Sequence, residues 1–252
     1  MKQQLRIFFT AVMFFTRLPC PRWVDHDPTY LTKSSRYFPL VGIIVGSLGA
    51  CIYLIASFVF AHSISIVLSM IATILITGAF HEDGLADVCD GFGGGWTKDD
   101  ILRIMKDSRI GAYGVIGTIC ALGLKFLCLL EMPHGVIVPA MISGHALSRF
   151  AGVTLLYTHP YVRSEDVKAK PAAEKMDIPS LLLAGIFGLM PLLLFKDAQV
   201  LWALVPVFVA RFWLGRYFRK WIGGQTGDCG GATQQVCEVV FYLTLPLVWK
   251  LY

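Results

Sequence analysis

Residues Tyr37–Ala61 read YFPLVGIIVGSLGACIYLIASFVFA, an unbroken run without a single charge. A helix needs about 20 mostly apolar residues to cross a bilayer, so this stretch alone puts the chain in a membrane. Similar runs follow at Ser63–Phe80, Ile110–Leu130, Val136–Tyr157, Ser180–Phe195, Gln199–Leu214 and Val236–Leu251. The expected fold is therefore all-α, a polytopic transmembrane helix bundle of about seven spans. Composition agrees: 56% of the 252 residues are hydrophobic and 15% charged, against roughly 25% charged in soluble domains. Too few charges remain to coat a soluble globule, and residues 1–252 read as one integral-membrane domain.

Polar punctuation sets the order of the runs. Tight turns at His62, at Pro133-His134-Gly135 and at Lys196-Asp197 pair the first six spans, and longer polar segments separate the pairs. Segment 1–36 holds six Lys and Arg, and loops 81–109, 158–179 and 211–235 hold four each, or 18 of 22. With seven spans all 18 fall on one face, and Lys196 and Lys250 on the other. The positive-inside rule makes the basic face cytoplasmic, with the N-terminus and the polar loops inside a bacterial inner membrane. Orientation also accounts for the net charge of +5 without nucleic acid as a partner.

At the N-terminus, Lys2 and Arg6 precede the apolar run Ile7–Phe15, a pattern that mimics a secretory signal. The following Thr16-Arg17-Leu18-Pro19-Cys20 lacks a small-residue cleavage site, so a retained interfacial helix is expected. Seven cysteines without a CxxC pair argue against a disulfide framework or zinc site. Gly42, Gly46 and Gly49 form a small-residue stripe. It reads either as packing within the bundle or as a contact between copies.

Chemistry concentrates at the end of the second run, in His81-Glu82-Asp83-Gly84-Leu85-Ala86-Asp87-Val88-Cys89-Asp90-Gly91. If the helix continues, Asp83, Asp87 and Asp90 lie at i, i+4 and i+7 on one face. Like charges so placed repel. A hard cation such as Mg²⁺, held by carboxylates and phosphates, removes the conflict, whereas the plainer alternative is a solvated acidic helix end. Glu82 beside them, and Asp228 in the later loop Gly223–Asp228, are further candidate metal ligands. Gly84 costs a helix about 1 kcal/mol relative to Ala and suggests a close approach to its backbone.

Gly93, Gly94 and Gly95 read as an anion-binding nest or a plain hinge. Thr97 looks like a helix N-cap. Lys106, Ser108 and Arg109 follow at the membrane surface, where the cations either snorkel toward headgroups or hold substrate phosphates. His145 and Arg149, i and i+4 in the fourth run, are ionisable groups inside a span and so candidate functional residues, although Arg149 has an alternative in simply reaching the interface. Lys125 is assigned no role. Gln225 and Thr226 are candidate substrate contacts in a turn of ordinary glycine and Asp chemistry.

The His81–Gly91 motif and Ile104-Met105-Lys106-Asp107-Ser108-Arg109-Ile110-Gly111-Ala112-Tyr113-Gly114 together resemble the cobalamin synthase family, the adenosylcobinamide-GDP ribazoletransferases. Phe15-Thr16-Arg17-Leu18-Pro19 and Gly224-Gln225-Thr226-Gly227-Asp228 are also similar to that family, and the resemblance spans nearly the whole chain. One departure is Cys229 before Gly230-Gly231-Ala232, where a hydrophobic residue before Gly-Ala is expected. The resemblance implies the last assembly step of cobalamin. α-Ribazole or its 5′-phosphate displaces GMP from adenosylcobinamide-GDP, with Mg²⁺ as cofactor. Beyond substrates and membrane lipid, self-association and association with other cobalamin-assembly enzymes both stay open as partners.

On this reading Asp83, Asp87 and Asp90 hold metal, and Lys106 and Arg109 clamp phosphate. A carboxylate or His81 takes the hydroxyl proton. A CDP-alcohol phosphotransferase fails on spacing, because Asp87 and Asp90 arrive too early for its motif. A transporter would place its acids near the bilayer midplane in repeated halves, which the sequence lacks.

Overall fold

Inside a bilayer no water is available to bond peptide groups, so apolar runs satisfy themselves as helices. The computed structural model describes residues 2–24, 28–163 and 176–250. Among these there is no strand, only an isolated bridge between Tyr161 and Gln225. Eleven α-helices follow in order. They are α1 (Lys2–Phe15), α2 (Pro28–Ser34), α3 (Phe38–Ser57), α4 (His62–Thr77), α5 (Phe80–Gly94) and α6 (Lys98–Ile104), then α7 (Ala112–Leu130), α8 (His134–Thr158), α9 (Ile178–Leu189), α10 (Leu204–Ile222) and α11 (Gly227–Lys250). The expected all-α bundle is borne out. Lys168, Lys170 and Lys175 of the charge count, and Leu251 at the end of the last expected span, lie outside the described residues.

Four stretches are long and apolar enough to cross a membrane: Thr29–Ser57, Ala112–Leu130, His134–Thr158 and Ala198–Ile222. Counting the bent pair α4 and α5 as one makes five, so the expected seven is not reached. Three features explain the difference. Gly78 and Ala79 both take left-handed backbone after α4, and α5 leaves at 87°, lying outside the four spans. The apolar stretch Ile178–Leu194 is short. Helix α11 carries polar residues through its first half, where they are buried among its neighbours, and turns Leu243 and Leu247 outward in its second half. Helix α10 also runs on to Ile222, so Arg211, counted above in a loop, is buried within it and bonded to Thr154 and Thr158 of α8.

Packing against α8 explains the glycine stripe of α3. A Cβ on Gly42 would collide with the His145 carbonyl, and one on Gly46 would come within 2.8 Å of the Ile142 Cα. Gly49 faces Thr73 of α4. The stripe is spent inside the bundle. Helix α1 buries Ile7, Ala11, Val12 and Phe15 on one face and packs the last three against Phe38, Val41 and Val45 of α3.

Replacing Gly42 by Ile should therefore force α3 from α8 and cost about 1–3 kcal/mol, the usual scale of overpacking. Gly123→Ile, where a Cβ meets nothing within 4 Å, should cost little. Thermal unfolding of the two proteins in one detergent compares them. Equal midpoints would refute the close approach.

Candidate active site

Helix α5 does continue through Asp90, and what Gly84 admits is another helix. A Cβ there would lie 3.1 Å from both the Asp228 Cα and its carbonyl oxygen, and 3.4 Å from the Gly231 Cα. The two helices thus cross backbone to backbone at Gly84, which sets the acidic face of α5 beside the N-terminus of α11. Asp228 stands there half-buried. Thr226 caps the helix, its Oγ1 accepting from the Cys229 N–H at 3.3 Å.

The loop after α8 adds a cation. Gln225 donates its backbone N–H to the Pro160 carbonyl, and Val162 donates to the Gln225 carbonyl. This pairing brings the Arg163 Nη2 to 2.9 Å from the Asp228 Oδ2. The contact is an ion pair by distance without the alignment of a hydrogen bond. Arg163 was not singled out in the sequence, because nothing distinguished it from the other cations of its loop.

Asp83, Asp87 and Asp228 form one electrostatic unit. Partial burial, then the charges of Asp228, Asp83 and Asp90, push the Asp87 carboxyl from 3.8 up to about 7, against the pull of Arg163. Burial likewise raises Asp228, although Arg163 and Thr226 favour its charge. The other two acids of the segment face elsewhere. Asp90 accepts from the backbone N–H groups of Gly111 at 2.7 Å and Gly114 at 2.8 Å, capping the orphan amides that start α7. A Cβ on either glycine would strike that carboxylate. The Glu82 Oε1 accepts from the Gln235 side chain of α11 at 2.9 Å.

The remaining candidates separate by location. Arg109 is exposed and bound to Asp107 through Nε and Nη2, the latter at 2.7 Å, which holds the Asp107 carboxyl down at about 2. Lys106 and Ser108 share that exposed loop between α6 and α7. Gly93 and Gly94 do not open into a nest. They complete the last turn of α5, Gly95 caps it, and the Tyr113 ring lies over Gly93. Thr97 is the expected N-cap of α6, accepting from the Asp100 N–H. His81 is buried and stacked on Phe15, with ring centroids 5.5 Å apart. Burial, then the charge of Arg149, hold its imidazole well below 6.5, so it is a weak base.

His145 and Arg149 lie deep in the bundle. The Arg149 Nη1 donates to the His145 carbonyl at 2.9 Å. Beside them is a buried network that sequence reasoning missed. The Glu238 Oε1 of α11 meets the Lys125 Nζ at 2.6 Å and accepts from the Tyr242 hydroxyl at 3.0 Å. Its Oε2 accepts from Gln234 at 2.7 Å. Gln235 links Gln234 to Glu82. The rule that marks His145 and Arg149, an ionisable group inside a span, applies equally to Lys125 and Glu238, whose opposite charges make them natural partners.

Among the described residues, no three His, Cys, Asp or Glu side chains form a ready-made metal cage. The donor chemistry still fits Mg²⁺, which binds through one or two carboxylates and completes its sphere with waters and phosphates. Burial, then the neighbouring negative charges, raise Asp87, and a divalent cation would offset the charge part.

Fold and site together define a polytopic helical membrane protein with an acidic, arginine-flanked site at one helix crossing. A family model described as cobalamin-5-phosphate synthase matches residues 7–246, and the chain belongs to that family. It is 48% identical over 252 residues to the adenosylcobinamide-GDP ribazoletransferase of Ralstonia pickettii, covering 99% of this chain and 98% of that one. Proteins of the same name from Shewanella frigidimarina and Shewanella pealeana are 44% and 45% identical over 251 and 249 residues. They cover 98% and 97% of this chain, and 96% of each relative. No solved structure matches the chain. The resemblance read from the two central motifs is borne out.

Removing the Asp228 charge should bring Asp87 down from about 7 toward the ordinary carboxylate range. Infrared titration of the metal-free Asp228→Asn protein, read against Asp87→Asn, tests this, and an unmoved Asp87 would break the coupling. A carboxyl raised on folding stabilises fully below its unfolded value of 3.8, and that contribution is lost as pH rises through 7. Asp87→Asn should therefore raise the unfolding midpoint of the metal-free protein at pH 8 and change it much less at pH 4.

Proposed function

We propose that this chain is a Mg²⁺-dependent adenosylcobinamide-GDP ribazoletransferase of a bacterial inner membrane, with its acidic site on the cytoplasmic face. The observation that carries the reading is the grouping of Asp83, Asp87 and Asp228 with Arg163 at the α5–α11 crossing, in a chain matching its relatives end to end. The substrates follow from the relatives' name: adenosylcobinamide-GDP, and α-ribazole or its 5′-phosphate. A ribazole hydroxyl attacks phosphorus, the pyrophosphate linkage breaks, and GMP leaves with the electron pair.

Two carboxylates of the Asp83, Asp87 and Asp228 group would hold Mg²⁺, which when bound supplies charge neutralisation to the diphosphate. Arg163 lies against that cluster and is placed to bind a phosphate oxygen by a charge-assisted contact. Lys106 and Arg109 sit on the loop that Asp90 ties to α5, and they reach outward for the nucleotide. Asp107 holds Arg109 until a phosphate competes for it. The hydroxyl proton goes to a carboxylate of the cluster. His81, two residues from Asp83, points to the opposite face of α5.

Purified protein in liposomes, given adenosylcobinamide-GDP, α-ribazole and Mg²⁺, should release GMP. Silence with both forms of ribazole would sink the reading. Asp83 is exposed, so Asp83→Asn should leave the unfolding midpoint in place while lowering kcat about 100-fold or more, the scale on which loss of a transition-state charge stabiliser is felt. Full turnover by that variant would refute the metal role.

A further inference from the structure

Behind the carboxylates, on the opposite side of the α5–α11 crossing, lies a cavity of about 120 Å³. A single water needs roughly 10–15 Å³, so the space suits an organic group. Its walls are aromatic: Phe14 and Phe15 of α1, Phe38 of α3 and Phe80 of α5. One end is polar, lined by His81, Arg149 and Gln234. All three are at least 97% buried, and among the described residues the Arg149 Nε has no hydrogen-bond partner. A buried donor left unmatched is costly.

Part of the remaining lining is the end of α8, at Gly152, Val153 and Leu156, and part is the start of α11, at Gly227, Gly230 and Gly231. Gly231 is needed for packing, because it touches α5. Gly227 and Gly230 are not, since a Cβ on either would meet nothing within 4 Å. Each glycine costs a helix about 1 kcal/mol relative to Ala, and here it keeps space open beside the residue that precedes Asp228. A lipid tail would fill the aromatic part but leave the buried Arg149 Nε dry and unmatched. A flat ring carrying hydrogen-bond acceptors satisfies both ends of the cavity.

We propose that this cavity is the acceptor subsite, and that it takes the aromatic base of the ribazole nucleoside. The Arg149 Nε meets a polar atom of the nucleoside, and its ribose turns past Gly227 toward the carboxylates. This assignment rests on the activity proposed above. It makes His145, which receives Arg149, a positioning residue.

The test uses the full chain in nanodiscs and the variant Gly230→Leu, which fills the cavity without a backbone clash. Equilibrium dialysis of α-ribazole without donor should show affinity reduced about tenfold or more, the scale of an added group in an apolar pocket. The KM for α-ribazole should rise by the same factor, with kcat at saturation and the KM for adenosylcobinamide-GDP unchanged. Unaltered ribazole affinity would overturn the assignment, as would a rise confined to the donor KM. So would a lipid found by mass spectrometry in the wild type and lost from the variant at constant ribazole affinity. Should Gly230→Leu fail to fold, Gly230→Ala and Leu156→Trp, the latter on the α8 wall of the cavity, carry the same readouts. Wild type that binds α-ribazole yet releases no GMP would overturn the activity while leaving the cavity assignment standing.

Discussion

The α5–α11 crossing at Gly84 is the contact on which the rest depends. Neither helix makes a site alone. Helix α5 supplies a stripe of carboxylates, and α11 supplies Asp228 on one side and a glycine wall on the other. Only because Gly84 brings the backbones within van der Waals contact does Asp228 join the charges of Asp83 and Asp87. The same contact divides the acidic face from the aromatic cavity, so two chemically opposite environments share one pair of helices. A side chain at that point would separate the helices and dilute both.

Apolar packing holds α11 in the bundle, through Phe241, Tyr242 and Leu245, and what fixes its position along the axis is electrostatic. Glu238 is fully buried against Lys125, Tyr242 and Gln234, and the chain of amides ends on Glu82 of α5. Burying a charge without a partner would be prohibitive; burying a pair with its remaining lone pairs satisfied is tolerable. Such a network adds little attraction beyond what apolar packing would give. It does fix register: sliding α11 by one turn would strand Glu238 and Lys125 in a low-dielectric interior. Asp228, ten residues earlier on the same helix, inherits that register. Asp90 performs the corresponding task for α7, since its two bonds to backbone amides tie the loop of Lys106 and Arg109 to α5.

Much of this was legible in the sequence. Long apolar runs announce helices directly, the carboxylate spacing of α5 depends only on helical geometry, and the turns at His62, Pro133 and Lys196 separate helices as expected. Legibility ended where tertiary contact decides. The expected seven spans are not all recovered: two left-handed residues bend the chain after α4, and the buried first half of α11 carries polarity that lipid would forbid. Gly84 did signal a close approach, but a sequence cannot say that the visitor is α11. Gly93–Gly95 looked like an anion-binding loop, yet their flexibility is used up by a helix end beneath Tyr113. Arg163 acquires meaning only through a backbone pairing with Gln225, sixty-two residues away.

Polarity in α11 has a consequence for how the protein is made. A segment holding Gln234, Gln235 and Glu238 is a poor candidate for spontaneous partition into lipid. It becomes acceptable only once Lys125 of α7 and the polar face of α8 are already in place to receive it. Insertion must therefore be sequential, with α11 entering as a guest of helices synthesised before it. Because α11 brings Asp228, the chain carries half a site until that helix docks. Docking of α11 and completion of the acidic site are thus one event.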